Sequence, residues 1–123
     1  QAGELLENFL LDLARMEIRR LAKAAFKAAL RIEPINISFY VRTDFSYYAS
    51  GVYEGAACYG SLNHAMQAVG FGVWEDGVTE YAIIRNQWGE SWGIDGYAYV
   101  KMSPDDVGVC GLYFDNTFTL VGY

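Results

Sequence analysis

The sequence predicts an α+β domain in which an N-terminal helix packs on an antiparallel, β-barrel-like sheet. Three observations carry this. Residues 4 to 30 are dominated by Ala, Leu, Glu, Lys and Arg, with no Pro or Gly among them, which is the composition of a strong helix former. After Pro34 the hydrophobic period changes to two, the mark of a half-buried strand. From there short apolar runs alternate with glycine-rich joints, as in a twisted sheet or a small open barrel.

The helix is expected from Glu4 to about Leu30. Acids come early (Glu4, Glu7, Asp12) and bases late (Lys23, Lys27, Arg31), which complements the helix dipole, and Pro34 stops it. Its apolar stripe is split. Leu6, Phe9, Leu10 and Leu13 share one face, whereas Ile18, Leu21, Ala22, Ala25, Phe26 and Ala29 share another, pointing roughly the opposite way at about 100° per residue. Two accounts fit. One has two helices joined by a turn near Ala14–Glu17. The other has one helix about 40 Å long at 1.5 Å per residue, whose first half buries its face against something other than its own domain, such as a second copy. No turn residue sits between the two faces, which favours the single helix.

Beyond Pro34, Ile35, Ile37, Phe39 and Val41 alternate with Asn36, Ser38, Tyr40 and Arg42, a half-buried strand. Ala65 to Val73 reads as a buried strand, and Glu75-Asp76-Gly77 as the hairpin turn that follows it. Thr79–Asn86, Tyr97–Met102 and Thr117–Val121 read as further strands.

Bulk properties narrow the function. The 123 residues suffice for one domain with one core. At 53% hydrophobic and 16% aromatic the chain can bury a substantial interior, which excludes a disordered segment. A net charge of −6 argues against a nucleic-acid partner, which calls for a basic footprint. There is no apolar run long enough to cross a membrane, and the acidic, amphipathic start lacks the basic and uniformly apolar regions of a signal peptide. No cofactor and no metal is expected. Two cysteines do not fix the redox compartment by number alone. The charge is uneven: residues 1–34 hold six Lys/Arg and five Asp/Glu, net +1, and residues 35–123 hold three and ten, net −7.

The chemistry concentrates in residues 58 to 111. His64, the chain's one histidine, is the side chain that exchanges a proton near neutral pH, suited to a general base or to an imidazolium beside a thiolate. Asn86 follows 22 positions later. A base needs a third group to fix its ring and tautomer, and an amide oxygen does this without adding charge. Asn86 opens the pattern Asn-x-Trp-Gly-x-x-Trp-Gly, which places Trp88 and Trp92 beside it. Taken singly, the histidine and the asparagine are ordinary surface or strand-end residues; it is the spacing and the tryptophan frame together that single them out.

Ser50-Gly51-Val52-Tyr53, Leu62-Asn63-His64-Ala65, Val69-Gly70-Phe71-Gly72, Asn86 through Gly93, Asp95-Gly96-Tyr97 and Val109-Cys110-Gly111-Leu112-Tyr113 resemble, in order, landmarks of the C-terminal (right) half of papain-like cysteine proteases, the family of the cathepsins. The resemblance runs from roughly Ile18 to Tyr123. It implies that His64 is the imidazole partner of a nucleophilic thiolate and that Asn86 orients it. It implies further that Trp88 shields their bond and Trp92 lines the cleft. Cys58 and Cys110 would be disulfide partners, which places the protein in a secreted or lysosomal setting; a bridge closing about 50 residues contributes roughly 4 kcal/mol in the chain-entropy model. Asp115 falls where the family floors its main specificity pocket, so an acid there would favour a basic substrate side chain.

Departures matter as much. The family's Gln-x-x-x-Cys-Gly-x-Cys-Trp segment, with the attacking cysteine, has no counterpart in these residues, and without a thiolate there is no acyl-enzyme route. Asn63 stands where an acid is common, and Gln87 where serine is usual. Residues 1–17 match nothing in the family, and their regular Leu/Glu/Ala/Arg pattern is what a designer would write. The right half normally packs against a left half, so its apolar face calls for a cover. Residues 1–17 are therefore expected to be a helical extension of unknown or engineered origin on a right domain spanning residues 18–123. The domain is expected to be inactive alone and dimeric through its helix. The alternative is one chain of a two-chain endopeptidase whose cysteine lies on another, missing N-terminal half. A weaker third reading is a peptide-binding module that uses the cleft around Trp92.

Overall fold

The computed structural model describes residues 2–118, except the side chains of residues 16–20. The order of elements is α1 (Ala2–Leu30), β1 (Ile35–Phe39), α2 (Thr43–Ser46), β2 (Val52–Tyr53), β3 (His64–Val73), β4 (Glu80–Arg85), β5 (Tyr97–Lys101) and β6 (Asn116–Phe118), with a 3₁₀ turn at Val109–Gly111 before β6. The helix is a single one. Its 29 residues span about 43 Å, so the split stripe is resolved without a turn. Ile18, assigned by sequence to the second face, has its side chain outside the described residues, as do Thr119–Val121 of the last expected strand.

The sheet has six strands in the order β2-β5-β4-β3-β1-β6. Every pairing is antiparallel except β2 with β5, where Val52 and Tyr53 align in parallel with Tyr99 and Val100. The α+β class holds, with this one parallel edge in a sheet expected to be antiparallel throughout. The β3–β4 hairpin turns at the expected place. Trp74 N–H donates to the Thr79 carbonyl at 2.8 Å. Asp76 accepts from the N–H groups of Val78 and Thr79 at 2.9 and 2.8 Å, and Gly77 takes the positive φ (73°) that favours glycine.

The alternation of β1 is carried into burial. Ile35, Ile37 and Phe39 are buried and their neighbours Asn36 and Ser38 are half-buried on the other face. The core gathers these with Met66, Ala68, Ala82, Ile84, Ala98, Val100 and Leu112. The second half of α1 lies over β3 and closes that core with Phe26 (3% exposed) and Leu30 (8%). Phe26 packs on the Tyr113 ring at 5.2 Å. Lys23 and Lys27 both reach Glu80 at the start of β4, at 2.7 and 2.5 Å, and Lys27 and Arg31 stand over the Phe71 ring. The first half is different: residues 2–15 are all exposed, so this stretch covers no part of the domain.

Candidate active site

His64 opens β3, aligned with Phe39 of β1, so its ring projects from the end of a strand held on both sides. Asn86 follows the last residue of β4 and is the one buried polar residue among those described (7% exposed). Its backbone N–H donates to the Gly96 carbonyl at 3.1 Å, which pins the point where β4 and β5 part into the loop carrying both tryptophans. That loop is tightened by Trp92 N–H to Gly89 O and Gly96 N–H to Trp92 O. At Gly93, φ is +59° and a Cβ would lie 2.5 Å from the Tyr97 carbonyl oxygen, so only glycine passes there.

The imidazole and the amide meet. His64 Nε2 lies 2.9 Å from Asn86 Oδ1. The same oxygen accepts the Gln87 backbone N–H at 2.8 Å. A backbone N–H requires an acceptor, so this second bond fixes which end of the amide faces the ring. Nε2 must then donate, and the neutral ring carries its proton on Nε2, with no partner for the Nδ1 lone pair among the described residues. A histidine so held presents one nitrogen for proton exchange and uses the other for anchorage, with no charge added by the anchor. The opposite amide atom, Asn86 Nδ2, is buried and has no hydrogen-bond partner among the described residues.

Trp88 stacks on the His64 ring (centroids 5.1 Å, 26° between planes) and meets Trp92 edge-on at 5.2 Å. Trp92 packs on Phe45 at 5.1 Å and Tyr48 at 5.7 Å, and its indole N–H donates to the Ser46 carbonyl at 3.1 Å. The imidazole–amide bond thus has a ring laid over it, and that ring is braced by a wall reaching the fully buried Phe45. The wall depends on α2, a four-residue helix that Arg42 and Asp44 clamp. Arg42 Nη2 reaches Asp44 Oδ2 at 2.7 Å, and the Tyr53 hydroxyl donates to Asp44 Oδ1 at 2.8 Å. The guanidinium beside it holds the Asp44 carboxyl down at about 2. Partial burial, then the bond to Asp44, pushes Tyr53 up to about 12.

The structure therefore gathers His64, Asn86, Trp88 and Trp92 into one group. Asp115 stands outside it. It is exposed, accepts from Ser38 Oγ at 3.3 Å, and lies beside β1, where Ser38 aligns with Ala65, the residue after His64. Cys58 and Cys110 are bonded to each other, with Cα atoms 4.8 Å apart, and the chain has no free cysteine. Both departures flanking the histidine and asparagine have structural work. Gln87 Nε2 donates to the Ala65 carbonyl at 3.0 Å, tying the tryptophan loop to β3. Asn63 Oδ1 accepts the Val41 N–H at 2.8 Å, tying the entry of β3 to the exit of β1. Sequence reasoning missed the braces Phe45 and Tyr48; their i, i+3 spacing before a glycine was the one available signal.

Comparison with known proteins places this arrangement. The profile of papain family cysteine proteases matches residues 12–119, beginning six residues ahead of the Ile18 boundary read from the sequence. The chain is 46% identical over 74 residues to cathepsin B-like CP2 of Giardia intestinalis, covering 60% of this chain and 24% of that protein. It is 41% identical over 101 residues to cathepsin B-like CP3 of the same organism, covering 77% and 33%. Among solved structures it resembles the bromelain protease of Ananas comosus in complex with the E64 inhibitor, with a TM-score of 0.71 and 35% identity over 76% of this chain and 43% of that one. The chain thus spans about a quarter to a third of the length of these two curated relatives. With the fold, the His–Asn pair and the profile agreeing over most of its length, the chain belongs to the papain family of cysteine proteases.

Proposed function

We propose that these residues supply the acid–base half of a cysteine peptidase site and do not cleave peptides by themselves. The observation that carries this is the 2.9 Å bond between His64 Nε2 and Asn86 Oδ1, which leaves Nδ1 for a thiol, in a chain whose two cysteine sulfurs are spent on each other. In the complete site a cysteine from a separate segment gives its proton to Nδ1. The thiolate attacks the carbonyl carbon, and the imidazolium returns the proton to the leaving amine. Asn86 holds the ring through the cycle, and Trp88 excludes water from the bond that holds it. Trp92 lines the leaving-group side, and Asp115 draws a basic side chain into the specificity pocket. The disulfide points to an oxidising setting, secreted or lysosomal.

The small share of its relatives that the chain spans favours a site completed by a thiol-bearing N-terminal half. A second reading, an engineered right domain that self-associates through its helix, is favoured by the exposed Leu5, Leu6, Phe9, Leu10 and Leu13. Hydrolysis of a fluorogenic dipeptide reporter in reducing buffer tests the central proposal. The purified chain is expected to give no turnover above buffer. Adding a papain-family N-terminal half that carries the cysteine raises turnover, and His64→Ala removes the gain. Turnover by the chain alone, lost in His64→Ala, overturns it.

A further inference from the structure

His64 is the first residue of β3. On one side that strand end is held by β1, where Phe39 aligns with His64 and Ser38 with Ala65. On the other side the ladder with β4 stops short. Its last rung toward the site joins Gln67 to Arg85. The same register, continued outward, would set Ala65 opposite residue 87, but β4 has ended at Arg85 and the chain has turned into the tryptophan loop. The strand end that carries the imidazole therefore has no strand beside it there. The side chain of Gln87 supplies the missing rung. Its Nε2 donates to the Ala65 carbonyl at 3.0 Å. Its backbone N–H donates to Asn86 Oδ1 at 2.8 Å, the oxygen that also accepts from His64 Nε2 at 2.9 Å. One residue thus grips both members of the His–Asn pair: the amide by its main chain, and the strand under the imidazole by its side chain.

We propose that the Gln87 side chain is a positioning residue for His64. By donating to Ala65 it sets the distance between the strand that carries the imidazole and the loop that carries Asn86, and with that distance the protonation of the ring on Nε2. The bonds close a circuit from His64 through Asn86 and Gln87 to Ala65, and back along the backbone to His64. Without the Gln87 side chain the circuit is open, and the ring follows every shift of the loop through a single bond. Gln87 is exposed, so its bond competes with water and adds little to stability. Geometry is the larger stake, because a misplacement of about 1 Å at a catalytic group costs on the order of a hundredfold in rate. Gln87 acts through Ala65 and Asn86 and not on the reacting atoms. The inference deepens the peptidase reading, on which its catalytic consequence rests; its effect on the ring does not depend on that reading.

The test is NMR of the purified chain. In the parent, one Gln87 Nε2 proton is expected to exchange with water more slowly than the other. Equal exchange overturns the bond, whether or not any variant folds. Gln87→Met keeps the backbone N–H and the length of the side chain and removes the donor. It is expected to lower the ratio of Nε2–H to Nδ1–H in the neutral His64 ring about two- to tenfold, the worth of one neutral hydrogen bond, with the melting transition unchanged. A ratio equal to the parent's overturns the positioning role. So does a lowered melt with an unchanged ring, which is what a merely structural contact gives. A second arm adds a papain-family N-terminal half that carries the cysteine. There Gln87→Met is expected to lower kcat and kcat/KM by the same factor, roughly tenfold; an unchanged kcat overturns the catalytic consequence. If the added half gives the parent chain no turnover, the peptidase reading fails, and the ring ratio still decides what Gln87 does.

Discussion

The two halves of α1 share a composition and differ in what they touch. Phe26 and Leu30 are 3% and 8% exposed against β1, β3 and Tyr113, whereas Phe9 and Leu10, on the same helix, are 58% and 55% exposed. Propensity makes both halves helical, but propensity alone barely sustains an isolated helix of that length in water. The second half is held by burial and by two lysines on Glu80. The first half has neither, and its apolar face is surface waiting for a partner. Sequence periodicity reports which side of a helix is apolar; it does not report whether anything covers that side.

The largest effect should come from truncating the same residue type in each half. Phe26→Ala removes a buried ring and is expected to cost about 3–5 kcal/mol, while Phe9→Ala in dilute protein stays within about 0.5 kcal/mol. Denaturant melts measure both; equal losses would erase the distinction between the halves. Next comes the disulfide. Replacing both cysteines (Cys58→Ser with Cys110→Ser) opens a loop of 52 residues and is expected to cost roughly 4 kcal/mol. Hydrogen exchange should speed up across β1 to β5 and leave the exchange of residues 2–15 unchanged. Exchange accelerated equally in both regions would mean that the first half depends on the domain after all.

A smaller effect follows from pH. Lys23, then Lys27, hold the Glu80 carboxyl below its ordinary value. Its folded-state pKa is therefore lower than its unfolded one. The stabilisation is complete above the ordinary carboxylate value of about 4.3 and is lost as pH falls through the lowered folded value. With both partners partly exposed, its size is on the order of 1 kcal/mol. Glu80→Gln should flatten this part of the acid-unfolding curve, and an unchanged curve would remove the clamp from the account. Smallest for the fold, and decisive for the exposed half, is Leu6→Glu with Leu10→Glu. If the bare stripe pairs with a second copy, light scattering gives a dimer for the parent chain and a monomer for the variant, with no change in the melt of the domain at low concentration. A parent chain that is monomeric at high concentration counts against that pairing.

Much of the fold could be read from local pattern. The two-residue period at Ile35–Phe39, the hairpin at Glu75-Asp76-Gly77 and the strands on either side all have their signals within a few neighbours. What could not be read has its cause elsewhere in the chain. β2 is two residues long and exists because Val52 and Tyr53 pair in parallel with β5 nearly fifty positions later. α2 has no length from which propensity could speak; it is fixed by the Arg42–Asp44–Tyr53 cluster and by Phe45 entering the aromatic wall. At the candidate site, His64 and Asn86 were legible because residue type and a tryptophan-framed pattern coincide. Their mutual orientation was not, because it rests on a backbone N–H, that of Gln87, choosing the amide oxygen.

The account turns on that orientation, and long-range proton–nitrogen NMR of the His64 ring measures it directly at a pH where the ring is neutral. The proton is expected on Nε2, with Nδ1 showing the shift of an unprotonated nitrogen, and Asn86→Ala is expected to lose this preference. A proton found on Nδ1 in the parent chain would mean that the amide does not hold the ring as described, and the proposed half-site would fail with it.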